Sequence, residues 1–267
     1  MARRRLDAEL VRRGLARSRQ HAADLVTAGQ VTVAGVVAFK VASQVEAAAA
    51  LHVTAEAQGE PYASRGAHKL IGAIDAFAPV GLEIAGRRCL DAGASTGGFT
   101  DVLLRQGAEA VVAVDVGYGQ LVWRLQTDER VLVCDRTNIR DLTAEMTGGL
   151  VDLVVADLSF ISLRLALPSF DRVTVPDADL LLMVKPQFEV GREALPSGGV
   201  VRDPEMRADA VLSIGRHAEA AGWGARGVTA SPLPGPAGNV EYFLWLGRGV
   251  PALDRAAVTR AVKEGPA

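Results

Sequence analysis

The sequence predicts an α/β protein: a mostly parallel sheet covered by helices on both faces, preceded by a small αα-β module. Three observations carry this. From about residue 64, apolar runs bounded by Gly, Asp or Pro alternate with helical segments, the pattern of right-handed βαβ crossovers. Those runs are apolar throughout, as strands buried on both faces are. The first 45 residues have a different character. They hold Arg3, Arg4, Arg5, Arg12, Arg13, Arg17, Arg19 and Lys40 against Asp7, Glu9 and Asp24, although the chain as a whole carries a net charge of −2.

Length and composition agree. The 267 residues suffice for a large domain and a small one, and 49% hydrophobic with 22% charged residues is a globular balance. Both cysteines, Cys89 and Cys134, fall in predicted buried strands. No metal-ligand or disulfide spacing is visible, so we expect no metal and a reducing compartment. The start, "MARRRLDAELVRR", lacks the apolar stretch of a signal peptide, and no run has membrane-spanning length. These features predict a soluble, cytoplasmic protein with no membrane partner.

The N-terminal module opens with a helix over residues 6–14, where Leu6, Leu10 and Val11 share a face. Ser18 is the expected N-cap of a second helix with Ala22, Leu25 and Val26 inward and Gly29 as its stop. "VTVAGVVAFKVASQV" reads as short strands around a turn at Ala34 and Gly35. The module spans residues 1–58, and residues 59–63 form a linker to a second domain, 64–267. That domain starts with the helix "GAHKLIGAIDAF". Its strands are "RRCLDAGA", "AVVAVDVG", "RVLVCD", "VDLVVADLS" and "DLLLMVKP". Between them lie the helical segments "GGFTDVLLRQG", "GQLVWRLQTDE", "IRDLTAEM" and "SLRLALPSF". A long helix, "DPEMRADAVLSIGRHAEAAG", precedes two final strands, "ARGVTASPL" and "VEYFLWLG", which form an antiparallel edge.

Ligands of open α/β sheets sit at the carboxyl ends of the strands. The first strand runs into "DAGASTGGFTDVLL". Asp91 closes it, Gly93 permits a tight turn, and Gly97 and Gly98 bring backbone close to a ligand. Phe99 and Thr100 open a helix with free N–H groups. The second strand ends in Asp115, placed as an acidic residue that holds ribose hydroxyls, and the third ends in Asp135. A glycine loop alone is only a tight turn; joined to Asp115 it points to an adenosine-type cofactor. NAD calls for G-x-G-x-x-G to cradle a pyrophosphate, whereas G-A-S-T-G-G suits a ligand without one, such as S-adenosylmethionine.

Four further residues converge on that end of the sheet. Asp157 ends the fourth strand, Lys185 the fifth, Glu241 lies at the start of the last strand, and Lys69 sits on the first helix of the domain. Singly, each has a plain explanation: a helix cap, a solvated lysine, an edge carboxylate. Together, two lysines and two carboxylates around one crevice balance each other's charge where perturbed ionisation is expected.

Lys69, Asp157, Lys185 and Glu241 have the order and placement of the Lys-Asp-Lys-Glu tetrad of FtsJ-type ribose 2′-O-methyltransferases. "RRRLDAELVRRGLARSRQHAADLVTAGQVTVAG" resembles an S4-type RNA-binding domain. "SRGAHKL", "CLDAGASTGGFTDVLL", "VDVGYGQL", "DLVVADLSFISL", "VKPQFEVG", "GGVVRDP" and "SPLPGPAGNVEYFLWL" resemble the TlyA family over essentially the whole chain. The resemblance implies a Rossmann-like class I methyltransferase with a mostly parallel seven-stranded sheet behind an S4 domain. It implies transfer of a methyl group from S-adenosylmethionine to a ribose 2′-hydroxyl, of cytidine, in ribosomal RNA of the small or large subunit or both. The implied catalytic residues are Lys69, Asp157, Lys185 and Glu241. The cofactor residues are Asp91, Gly93, Ala94, Ser95, Thr96, Gly97, Gly98, Phe99, Asp115, Val116 and Asp135. The RNA-binding residues are Arg3, Arg4, Arg5, Arg17, Arg19, Lys40 and Arg65. The family's haemolysin naming leaves a membrane-active cytolysin as one alternative, and a non-catalytic RNA-binding assembly factor is another.

Overall fold

The computed structural model describes residues 3–16, 18–27, 29–38, 40–46, 48–53, 62–235 and 237–266. The chain divides into two compact units, residues 1–61 and 62–267.

The N-terminal unit contains β1 (Arg3–Arg5), α1 (Leu6–Arg12), α2 (Arg19–Thr27), β2 (Val31–Val33), β3 (Val36–Val37), β4 (Gln44–Glu46) and β5 (Leu51–Val53). Leu6, Leu10, Ala22, Leu25 and Val26 bury the facing sides of the two helices over Val31, Val45 and Val53. The Ser18 cap is present: its Oγ accepts from the His21 N–H at 3.1 Å. β2 and β3 form the expected hairpin, with Ala34 and Gly35 at φ 50° and 83°, the positive values that a twist-matched two-residue turn requires. Two features go beyond the sequence reading. β5 joins the other edge of β2, and the arginine run of β1 is a strand, antiparallel to β4.

The larger unit runs α3 (Ala67–Phe77), β6 (Arg88–Ala92), α4 (Gly98–Arg105), β7 (Ala110–Val114), α5 (Trp123–Gln126), β8 (Val131–Cys134), β9 (Val151–Ala156), α6 (Leu163–Val173), β10 (Thr174–Val184), α7 (Pro186–Glu189), α8 (Pro204–Ala220), β11 (Trp223–Ala230), β12 (Tyr242–Arg248) and α9 (Arg255–Glu264). Its sheet has seven strands in the order β11-β12-β10-β9-β6-β7-β8. β6 to β10 are parallel, and β12 is antiparallel to both of its neighbours. Alternate residues feed opposite faces: Leu180, Leu182 and Val184 enter one core, Leu181 and Met183 the other. This explains why β10 reads as a continuous apolar run.

Two predicted helices shrink. "GQLVWRLQTDE" is helical only over α5, and "IRDLTAEM" keeps one 3-10 turn, Ile139–Asp141. Directly after the second segment the Thr147 hydroxyl donates to backbone carbonyls, and Gly148 and Gly149 hold φ 67° and 127°, values that do not continue a helix. β10 also begins earlier than expected, at Thr174. Its register with β9 shifts between Thr174 and Asp179, the stretch holding Pro176, which has no N–H for a ladder. The sequence reading missed α9, which Asp254 caps and which buries Val258 and Ala261.

Candidate functional site

Asp115, Asp135, Asp157 and Lys185 each follow the last residue of a parallel strand. β6 feeds β7 and β8 on one side, while β9 and β10 lie on the other. The strand order therefore reverses between β6 and β9, where open α/β sheets form a crevice. β12 enters the sheet at that same end. Its register pairs Tyr242 with Val184, so Glu241 and Lys185 emerge side by side.

A cavity of about 730 Å³ opens there, lined among others by Gly93, Ser95, Asp115, Val116, Asp157 and Phe160. Gly93 has φ 89°, and a Cβ on it would lie 2.7 Å from the Asp157 carbonyl oxygen; only glycine lets the two loops pass. Gly97, at φ 98°, is the N-cap of α4. Asp115 accepts from the Ser95 N–H at 2.8 Å and the Gly117 N–H at 2.7 Å. Each carboxylate oxygen keeps a second lone pair for a hydroxyl. Asp91 is fully buried. Its Oδ2 accepts from the Thr100 hydroxyl at 2.6 Å, while Oδ1 has no hydrogen-bond donor. Burial pushes this carboxyl up to about 7, against the opposing Thr100 bond. Asp135 does not line the cavity. Its carboxylate accepts from the Gly119 N–H at 2.9 Å, and Thr137, Asn138 and Arg140 line that wall instead.

The four convergent charges resolve into two ion pairs. Lys69 Nζ lies 2.5 Å from Glu241 Oε2, and Lys185 Nζ lies 2.6 Å from Asp157 Oδ1. Lys69, Lys185 and Glu241 are buried. Lys185 also donates to the Ser159 hydroxyl at 2.8 Å. The Lys185 contact to Asp157 Oδ1 is a charge contact outside hydrogen-bonding geometry. Pro186 begins α7 directly after Lys185, which turns the backbone aside and leaves the ammonium at the strand mouth.

Three residues escaped the sequence reading. Ser159 holds Lys185 from the Asp157 loop. Phe160 is 92% exposed with φ 65°, and its ring lies tilted by 51° against Phe188 with centroids 5.3 Å apart. Glu189, buried at the end of α7, accepts from the Leu163 N–H at 2.8 Å and from the Ser162 hydroxyl. It thereby ties the Lys185 segment to the Asp157 loop. Their signal was position, within two to four residues of Asp157 or Lys185. Ser95, Arg136 and Phe160 hold positive φ at the strand ends, and backbone strain of this kind collects at functional sites.

In the N-terminal unit Arg4, Arg5, Arg19 and Lys40 are exposed, and in the larger unit so is Arg65. Arg5 and Arg19 both pair with Asp7 at 3.0 Å. Arg17 and the side chain of Arg3 lie outside the described residues, as do residues 59–61 of the expected linker.

Comparison with known proteins agrees with this architecture. The FtsJ-like methyltransferase family matches residues 62–248, and the S4 domain family matches residues 4–49. The chain is 58% identical to the 16S/23S rRNA (cytidine-2′-O)-methyltransferase TlyA of Mycobacterium tuberculosis, over all of both chains. It is 35% identical to Hemolysin A of Brachyspira hyodysenteriae, over 90% of this chain and 98% of that one. A solved structure from Streptococcus thermophilus that carries the hemolysin name is 34% identical and superposes with a TM-score of 0.72, over 99% of this chain and 96% of that one. The chain belongs to the TlyA family, in which an S4 domain precedes an FtsJ-like methyltransferase domain.

Proposed function

We propose that the protein methylates ribose 2′-hydroxyls of cytidine in bacterial ribosomal RNA, using S-adenosylmethionine. The observation that carries this reading is the Lys185–Asp157 pair, with Ser159, at the strand-order switch beside a nucleoside-sized cavity. The reaction forms a bond between O2′ and the methyl carbon, breaks the carbon–sulfur bond and releases the hydroxyl proton. Bound S-adenosylmethionine supplies an electrophilic methyl on a sulfonium sulfur. The chain must hold the hydroxyl in line and manage its proton.

Lys185 is the base or orienting group for the hydroxyl. Asp157 and Ser159 fix its Nζ, and Lys69 with Glu241 completes the network. Asp115 holds the cofactor ribose, and Gly93 to Gly98 with the start of α4 take its amino-acid end, with Asp91 buried beneath that turn. Val116, 71% exposed, gives the adenine an apolar surface. Phe160 offers an exposed ring on which an unstacked base can lie. Residues 1–58 act as an RNA anchor through their arginines, residues 59–63 as a linker, and residues 64–267 as the catalytic domain; Arg65 adds a further phosphate contact. Such work belongs in the cytoplasm, on the small subunit, the large subunit or both.

The test is transfer of labelled methyl from S-adenosylmethionine to isolated ribosomal subunits, followed by mapping of 2′-O-methyl marks. Asp115→Ala should weaken cofactor binding about tenfold or more, as loss of hydrogen bonds to a charged group does, and spare RNA affinity. No mark on any cytidine ribose refutes the proposal. The haemolysin name of some relatives motivates one control. Among the described residues no helix is long and apolar enough to cross a membrane. Cofactor-independent leakage of lipid vesicles at low protein concentration would favour the cytolysin reading.

A further inference from the structure

We propose that Asp7 is the positioning residue of a phosphate clamp on the N-terminal unit, holding Arg5 and Arg19 as a fixed pair for one RNA backbone phosphate. This rests on the reading of that unit as an RNA anchor. Asp7 Oδ1 accepts from the Ala8 N–H at 2.8 Å and from Arg5 Nε at 3.1 Å. Oδ2 accepts from Arg5 Nη2 and from Arg19 Nη2, each at 3.0 Å. Two arginines from different elements, β1 and α2, thus converge on one carboxylate. The acid is hidden and the bases are not: side-chain exposure is 6% for Asp7, 47% for Arg5 and 61% for Arg19. The remaining guanidinium N–H groups are free to fork onto a phosphate.

The neighbouring acid gives a contrast. Glu9 holds Arg12 and Arg13, but Arg13 turns inward, donates to the Ala49 carbonyl and is only 21% exposed. That group serves the fold. The Asp7 group faces outward. A free surface arginine gives up rotamer freedom when it grips a phosphate, and an arginine already held gives up less. Asp7 achieves this at the expense of one positive charge. Charge counting alone therefore predicts that removing Asp7 tightens RNA binding, and the clamp predicts the reverse.

Binding of the full-length protein to isolated bacterial ribosomal subunits, between about 50 and 200 mM salt, separates the two. Asp7→Asn keeps an acceptor for the Ala8 N–H and releases the arginines. It should weaken binding about three- to tenfold and shrink the salt slope by about one. The double variant Arg5→Lys/Arg19→Lys keeps Asp7 and both charges but loses the fork, and should weaken binding several-fold. It decides the matter even if Asp7→Asn melts early by circular dichroism. Wild-type affinity in the double lysine variant, or equal or tighter binding by folded Asp7→Asn, overturns the clamp. Unchanged affinity in Arg5→Ala/Arg19→Ala would instead overturn the RNA-anchor reading itself.

Discussion

Lys69 and Glu241 are 172 residues apart in the chain, and their charged atoms lie 2.5 Å apart. The first turn of α3 supplies one and the approach to β12 the other, with side-chain exposures of 10% and 1%. Removing one member of a buried pair strands the other charge and costs about 3–5 kcal/mol, whereas replacing both by apolar residues is often neutral. Lys69→Ala should lose about that much stability in denaturant titration. Lys69→Met/Glu241→Leu should regain most of it and still fail to transfer methyl. Full activity in the double variant would mean that the pair serves only the fold.

Lys185 gives a sharper chemical test. Lys185→Ala should reduce methyl transfer by a factor of about 10² or more, the scale of a positioned proton-transfer group, while calorimetry finds cofactor affinity unchanged. Lys185→Arg should fail as well, because a guanidinium stays protonated and is wider than an ammonium. An active arginine variant would show that the site needs only positive charge.

Asp91 predicts a pH dependence of stability. Its folded carboxyl titrates at about 7 against an ordinary value of 3.8, because burial disfavours the anion. The native state therefore keeps this proton at pH values where the unfolded chain has lost it. Its contribution to stability declines as pH rises from about 4 to about 7, then levels off. Asp91→Asn should remove that slope from denaturation curves taken across the range. An identical slope in the variant would place the titration elsewhere.

Glu189 couples the two segments that carry Asp157 and Lys185. Glu189→Ala strands the buried Leu163 N–H, at about 1–3 kcal/mol, and frees the Asp157 loop from α7. The turnover rate should fall while the KM for the cofactor holds. Glu189→Gln keeps one acceptor oxygen and should recover part of the loss. Equal turnover in Glu189→Ala and wild type would reduce the residue to a helix cap.

The parts of this protein legible in its sequence are those set by local chemistry. β6, β7, β9 and β10 are apolar because the sheet is covered on both faces there, whereas the edge strand β8, read as buried from its apolar run, leaves Leu132 exposed and Cys134 only partly buried; strand ends are marked by Asp115, Asp135, Asp157 and Lys185. The glycines of the first loop announce a turn with positive φ and a close backbone approach. The antiparallel edge and the Ser18 cap follow from the same local rules. α5 and the Ile139–Asp141 turn were overestimated, because apolar spacing says helix while glycines and threonine back-bonds nearby say otherwise.

Pairing was a different matter. Four charges at one end of a sheet can combine in more than one way, and sequence order does not choose among them. Only the register of β12 on β10 and the approach of α3 assign Lys69 to Glu241 and leave Lys185 to Asp157 and Ser159. Likewise "RRRLD" shows three arginines and an acid, but only the packing of α2 against α1 brings Arg19 to the same carboxylate as Arg5. Local propensity depends on neighbours in the chain and can be read from it. A hydrogen bond or ion pair between distant residues depends on how whole elements pack, and that is settled only in three dimensions.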